Sequence, residues 1–141
     1  GTKKTENSPA SYPAPIKVYE KPLDESGKSW AEYGWNATDV VRVIAAGKSV
    51  EAIAINMDSG ILRQHLSQKK IKTEVGIKTA RNTYFVKVYV HALYMFGSIH
   101  ALNETNERQI EDVEEYVSHL FKIYGRCMLT LDSMSELEIE D

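Results

Sequence analysis

Apolar and polar residues divide the chain into three unequal stretches. Through residue 29 the apolar side chains are scattered, and all four prolines, Pro9, Pro13, Pro15 and Pro22, fall here. Proline fixes its own φ and offers no N–H, so this density predicts an extended arm or linker over residues 1–29. From Trp30 to about residue 130 apolar residues recur in blocks long enough for helices. Residues 131–141 are largely acidic and predict a tail. At the first boundary, "SWAEYGW" brings Trp30, Tyr33 and Trp35 together, and these rings are expected to anchor the arm to the core.

Within residues 30–130 the blocks read as a helical domain. "TDVVRVIAA" predicts a helix capped by Asn36 or Thr38 and stopped by Gly47. Ser49 caps "VEAIAINM", where Val50, Ile53, Ala54 and Met57 share a helical face, and Asp58 or Ser59 caps "GILRQHLSQKK". Residues 71–79, interrupted by Gly76, read as a loop or a short hairpin-like segment. "YFVKVYVHALYMFGSIHAL" opens with residues that suit a strand, yet Phe85, Val88, Ala92, Met95 and Ile99 recur at helical spacing. It is expected to be the buried central helix. Ile110, Val113, Val117, Leu120 and Tyr124 then form an apolar stripe behind an acidic first turn, with Gly125 ending it. The expected fold is all-α: a compact bundle of five or six helices with an extended N-terminal arm and an acidic C-terminal tail.

Charge adds a polarity that the net value of −3 conceals. Residues 61–90 hold seven Lys/Arg and one Glu, whereas residues 101–141 hold three Lys/Arg and eleven Asp/Glu. Such a split suits a basic site for an anionic partner, or two surfaces that attract each other's copies. Cys127 is the single cysteine, which excludes an internal disulfide, fits an intracellular setting and is expected to be buried. No run of eighteen apolar residues occurs, so neither a transmembrane helix nor a membrane partner is expected.

Two patterns bear on chemistry. Gly47-Lys48-Ser49 looks like the end of a phosphate-binding loop, but that loop needs glycine at the position of Arg42 and a preceding strand. The alternative is a helix-turn-helix over residues 47–72, which Gly47, Ser49, Ile53, Ala54 and Met57 resemble in its first half. Its second helix arrives about two residues earlier than the usual turn allows. That helix turns Arg63, Gln64 and Gln68 outward, types that pair with base edges, and a basic run over residues 63–87 follows. Lys69, Lys70, Lys72, Lys78 and Arg81 are the candidate phosphate contacts, with Tyr84 and Phe85 beside them as core or stacking residues.

Catalytic patterns are sparse. The four histidines make no i,i+4 metal pair, no nucleophile elbow occurs, and the carboxylates of residues 104–115 sit at a helix terminus. Neither an enzyme nor a cofactor or metal is expected. Both Asn-x-Thr triplets, at Asn36 and Asn103, are assigned to helix capping. The sequence therefore supports a non-enzymatic nucleic-acid-binding module, with DNA or RNA as partner. Its alternative is a protein-interaction or self-assembly module in which the arm and the charged surfaces bind a protein partner or another copy.

Overall fold

A computed structural model of the chain describes residues 12–105 and 109–139. Its elements run β1 (Ala14–Tyr19), β2 (Lys28–Ser29), α1 (Trp30–Tyr33), β3 (Val41–Ala46), β4 (Ser49–Asn56), α2 (Gly60–Gln68), α3 (Glu74–Thr105) and α4 (Val113–Ile139). The four strands form one mixed sheet in the order β2-β1-β4-β3. The expected all-α bundle is therefore wrong: the molecule is an α/β fold with a four-stranded sheet.

The error has a definite origin. "VRVIAA" and "SVEAIAIN" are rich in β-branched residues and separated only by Gly47-Lys48, and they pair as an antiparallel hairpin. Gly47 has φ 64, the left-handed conformation that a tight hairpin turn needs. What reads as a helix stop is thus a hairpin turn. The register shifts between Ile44 and Ala45, so a bulge breaks the strict alternation that would have betrayed the strand. The helix-turn-helix fails with it, because residues 49–56 are its supposed first helix.

Part of the expected arm is likewise structural. β1 pairs in parallel with β4, Ala14 opposite Ala52 through Val18 opposite Asn56, and in parallel with β2 on its other side. Pro13 and Pro15 are compatible with this position at the start of a strand. The remainder of the arm, residues 1–11, and residues 140–141 of the tail lie outside the described residues.

Alternation sorts each strand between two layers. Val41 and Val43 of β3 and Ile53 and Ile55 of β4 face the helices, packing with Val88, Ala92 and Phe96 of α3 and Val117 and Phe121 of α4. The opposite face carries Val18 and Ala54, covered by Trp30, Tyr33 and Trp35. Alanine at position 54 leaves room for rings directly on the sheet. Arg42 extends over that cluster, its guanidinium 5.4 Å from the ring centres of both Tyr33 and Trp35.

The helices also depart from expectation at their ends. α2 begins at Gly60, and of the two expected caps, Asp58 and Ser59, it is Ser59 that fills the position. α3 starts ten residues before the expected Tyr84, with the Thr73 hydroxyl accepting from the Gly76 N–H at 3.0 Å. α4 passes through Gly125, where an added Cβ would come 2.6 Å from Ile61 Cδ1. That glycine serves close packing against α2 rather than termination. Cys127 is exposed, not buried.

β3 is an edge of the sheet, and α4 occupies part of its unpaired backbone. Glu114 accepts from the Ala45 N–H at 2.7 Å, and the Ser118 hydroxyl donates to the Val41 carbonyl at 2.8 Å. These contacts blunt an edge that would otherwise offer itself to another strand.

Candidate functional site, a basic groove at the ends of two parallel strands

β1 and β4 end side by side at Tyr19 and Asn56, and the chain beyond each is tied to the other. Met57 N–H donates to Val18 O at 2.8 Å, and Glu20 N–H donates to Asp58 Oδ2 at 2.8 Å. Beneath this junction lies a buried polar hub centred on Asn56, which is wholly inaccessible. Its amide oxygen accepts from Trp30 Nε1 at 2.8 Å and from the Asp58 N–H at 2.9 Å. Its amide nitrogen donates to the carbonyls of Asn36 and Asp39 at 3.1 and 2.7 Å. One side chain thereby joins the ends of β4, α1 and the loop leading to β3.

Tyr84 of α3 closes the hub from the helical side. Its hydroxyl donates to the Asn56 carbonyl at 2.7 Å, so the Ser59 hydroxyl, 2.8 Å away, donates to the phenol oxygen. Ser59 in turn accepts from the Leu62 N–H at the start of α2. Burial pushes the Tyr84 phenol well above its ordinary value, outweighing the Ser59 contact and the nearby Arg81 charge that act the other way. Among the described residues no buried side-chain nitrogen or oxygen lacks a partner.

On this rigid base a groove opens between β1, the β1–β2 loop and α3. One cavity of about 650 Å³ is lined by Tyr19, Leu23, Met57, Ile77, Lys78 and Arg81 among others. A second, of about 570 Å³, runs back along β1 between Ile16, Gly27, Lys28 and Phe85. Lys17 and Tyr19 line both, so the two cavities adjoin along β1. Among the described residues their linings combine apolar side chains with Lys17, Lys28, Lys78 and Arg81 and one carboxylate, Glu74. The Lys17 ammonium sits 4.9 Å above the centre of the Phe85 ring. Ligands of α/β sheets collect at the carboxyl ends of parallel strands, where the first of these cavities lies.

Of the residues singled out from the sequence, Lys78 and Arg81 meet here. Arg63 stands at the neighbouring rim but is engaged, bonding Glu20 at 2.9 Å, 3.8 Å from Asp58 and 5.8 Å above Trp30. Arg81 shares Asp58 with it, also at 3.8 Å. Gln64 and Gln68 line a small recess against α4, and Gln64 accepts from Arg126 at 2.7 Å. They do not stand with Arg63 on one reading face. Lys69 and Lys70 form the exposed turn after α2, Lys70 with φ 57, and Lys72 lies exposed in the link to α3.

Lys17, Tyr19 and Lys28 were missed because they fall in the stretch taken for an arm. A signal existed in "IKVY", whose period-two alternation sends Ile16 and Val18 to one face and Lys17 and Tyr19 to the other. A further cavity of about 500 Å³ beside β3 is lined by Asp39, Arg42, Glu114, Ser118 and Lys122. Its polar groups serve the fold: Lys122 lies 3.5 Å from Asp39, and Glu114 and Ser118 hold the strand edge. Among the described residues no group of three His, Cys, Asp or Glu is arranged to hold a metal ion. No protein-family model, curated protein or solved structure matches this chain, so the groove has to be read from its own chemistry.

Proposed function

We propose that the chain is a non-enzymatic protein-interaction module whose groove along β1 receives an acidic peptide segment bearing apolar side chains. The observation that supports this reading is a pair of adjoining cavities that share Lys17 and Tyr19 and whose linings combine apolar side chains with Lys17, Lys28, Lys78 and Arg81. Apolar side chains of the peptide fill the space over Tyr19, Met57, Ile77 and Phe85, and its carboxylates meet Lys17, Lys28 and Lys78. Exposed ion pairs contribute about 0–1 kcal/mol each, whereas burying one large apolar side chain contributes about 1.5–3 kcal/mol. The apolar anchors therefore set affinity, and the charges set approach, orientation and choice of partner.

A suitable probe is a fluorescein-labelled peptide with the sequence of residues 131–141, LDSMSELEIED, which sets Leu, Met and Ile among carboxylates. Anisotropy titration should give binding that weakens with salt and weakens further, with a flatter salt dependence, in the Lys17→Glu/Lys78→Glu variant. A version with serine at the apolar positions should bind far less. Equal binding of that version, or of single-stranded DNA, would reduce the groove to a generic polyanion site and overturn the reading.

A further inference from the structure

α3 is apolar on both sides. Tyr84, Val88, Ala92, Phe96 and Ile99 are buried against the sheet and α4, while Val86, Val90 and Tyr94 on the outer face are 48, 39 and 71% exposed. Between Asn82 and Asn103 the one formally charged residue is Lys87, which turns away to the Met128 carbonyl of α4. A helix this apolar all round is normally covered all round. We propose that the cover is a second copy of the chain: two molecules pack α3 against α3, antiparallel, with Val90 on the twofold axis.

The stripe itself favours a copy over any other occupant. Val86 and Tyr94 stand four residues either side of Val90, Thr83 and Gly97 seven, and Thr79 and Ala101 eleven. An antiparallel copy centred on Val90 sets the Tyr94 ring against Val86 and the bare backbone of Gly97 against Thr83, large opposite small. Such self-complementarity is what a twofold interface demands. Gly97 supplies an independent sign. A Cβ built on it meets nothing within 4 Å, so nothing among the described residues requires a glycine in mid-helix, where it weakens the helix. A second helix approaching closely gives it a use.

Charge points the same way. Lys69, Lys70 and Lys72 precede the first turn of α3, which holds Glu74, and Glu104, bonded to Lys48 of the hairpin, sits in its last turn. Glu111 and Asp112 follow. An antiparallel neighbour brings the lysines that precede α3 in one copy beside Glu111 and Asp112 of the other. The size is adequate. The 32 residues of α3 give a helix about 48 Å long, and a strip about 10 Å wide covers roughly 500 Å² per copy. The pair then reaches roughly 1,000 Å², the lower bound for a specific interface, before any help from exposed Ile123 of α4. α3 is also, among the described residues, the one helix long and apolar enough to cross a membrane, so lipid is the rival occupant of this face.

The decisive experiment is the mass of the full chain in solution across a wide concentration range. The mass should rise from 15.9 kDa to twice that value. Gly97→Leu, which the open space accommodates in a single molecule, should keep it at 15.9 kDa without lowering thermal stability. In a Cys127→Ser background, oxidised Val90→Cys should form a disulfide dimer and Val75→Cys, far from the axis, should not. A mass that never rises, a dimer that survives Gly97→Leu, or equal cross-linking at both positions overturns the proposal. Sedimentation with phosphatidylcholine–phosphatidylglycerol vesicles in place of self-association assigns the face to lipid instead.

Discussion

The hydroxyl of Tyr84 donates to the main-chain oxygen of Asn56 across 2.7 Å, tying the first half of α3 to the last residue of β4. Removing it with Tyr84→Phe leaves that carbonyl without this donor and takes from the Ser59 hydroxyl its phenol acceptor. Each buried polar group stranded in this way costs about 1–3 kcal/mol. Urea denaturation should show a midpoint lowered accordingly with the slope unchanged, since the cooperative unit is the same.

The same phenol predicts an alkaline signature. Burial holds its folded-state pKa above the ordinary 10.0. The folded chain therefore keeps a proton that the unfolded chain releases, and the stabilisation is fully present below the unfolded value. As pH rises beyond that value, stability falls. Denaturation curves at increasing pH should steepen in their loss of stability above about pH 10, and Tyr84→Phe should remove that extra slope.

Gly125 and Ile61 should behave as a coupled pair. Alanine at position 125 improves helix propensity by about 1 kcal/mol, but its methyl collides with Ile61 Cδ1. Gly125→Ala alone should leave stability within about 1 kcal/mol of the parent, and Ile61→Val alone should cost about 0.5–1.5 kcal/mol. The double variant should be more stable than their sum, by about 1 kcal/mol, in a double-mutant cycle. Strict additivity would place the two side chains out of contact.

The edge of β3 should become adhesive when α4 lets go of it. Glu114→Ala frees the Ala45 N–H, and Ser118→Ala frees the Val41 carbonyl. Each should cost about 0.5–1.5 kcal/mol, the ordinary net value of one hydrogen bond. Together they should raise light scattering on mild heating, because an open edge templates pairing with other chains. Unchanged scattering would mean that the body of α4 alone shields the strand.

In the groove the two kinds of contact should separate by size of effect. Lys28→Ala should weaken the acidic probe peptide no more than about fivefold, the scale of an exposed ion pair. Ile77→Ala should weaken it about tenfold or more, the scale of a lost apolar contact. Anisotropy titrations on variants with matched thermal stability give both numbers.

What the sequence determined by itself is local. Ser59 followed by an apolar-periodic run marked the start of α2, the aromatic cluster at Trp30–Trp35 marked the anchoring point, and Val113 and Val117 marked the buried side of α4. Each of these depends on neighbours within a turn or two of chain. The sheet was decided elsewhere. Short runs of Val, Ile and Ala such as residues 40–46 and 50–55 satisfy helical and strand periods alike, and a strand wins only when a partner takes its backbone hydrogen bonds. For β4 one such partner is β1, a stretch some 38 residues away that reads as a proline-containing arm. The groove depends on the same distant pairing. Until Ala14–Tyr19 lies beside Ser49–Asn56, Lys17 and Tyr19 have no relation to Lys78 and Arg81. Charge and polarity were written along the chain; only the parallel pairing of β1 with β4 gathered them into a site.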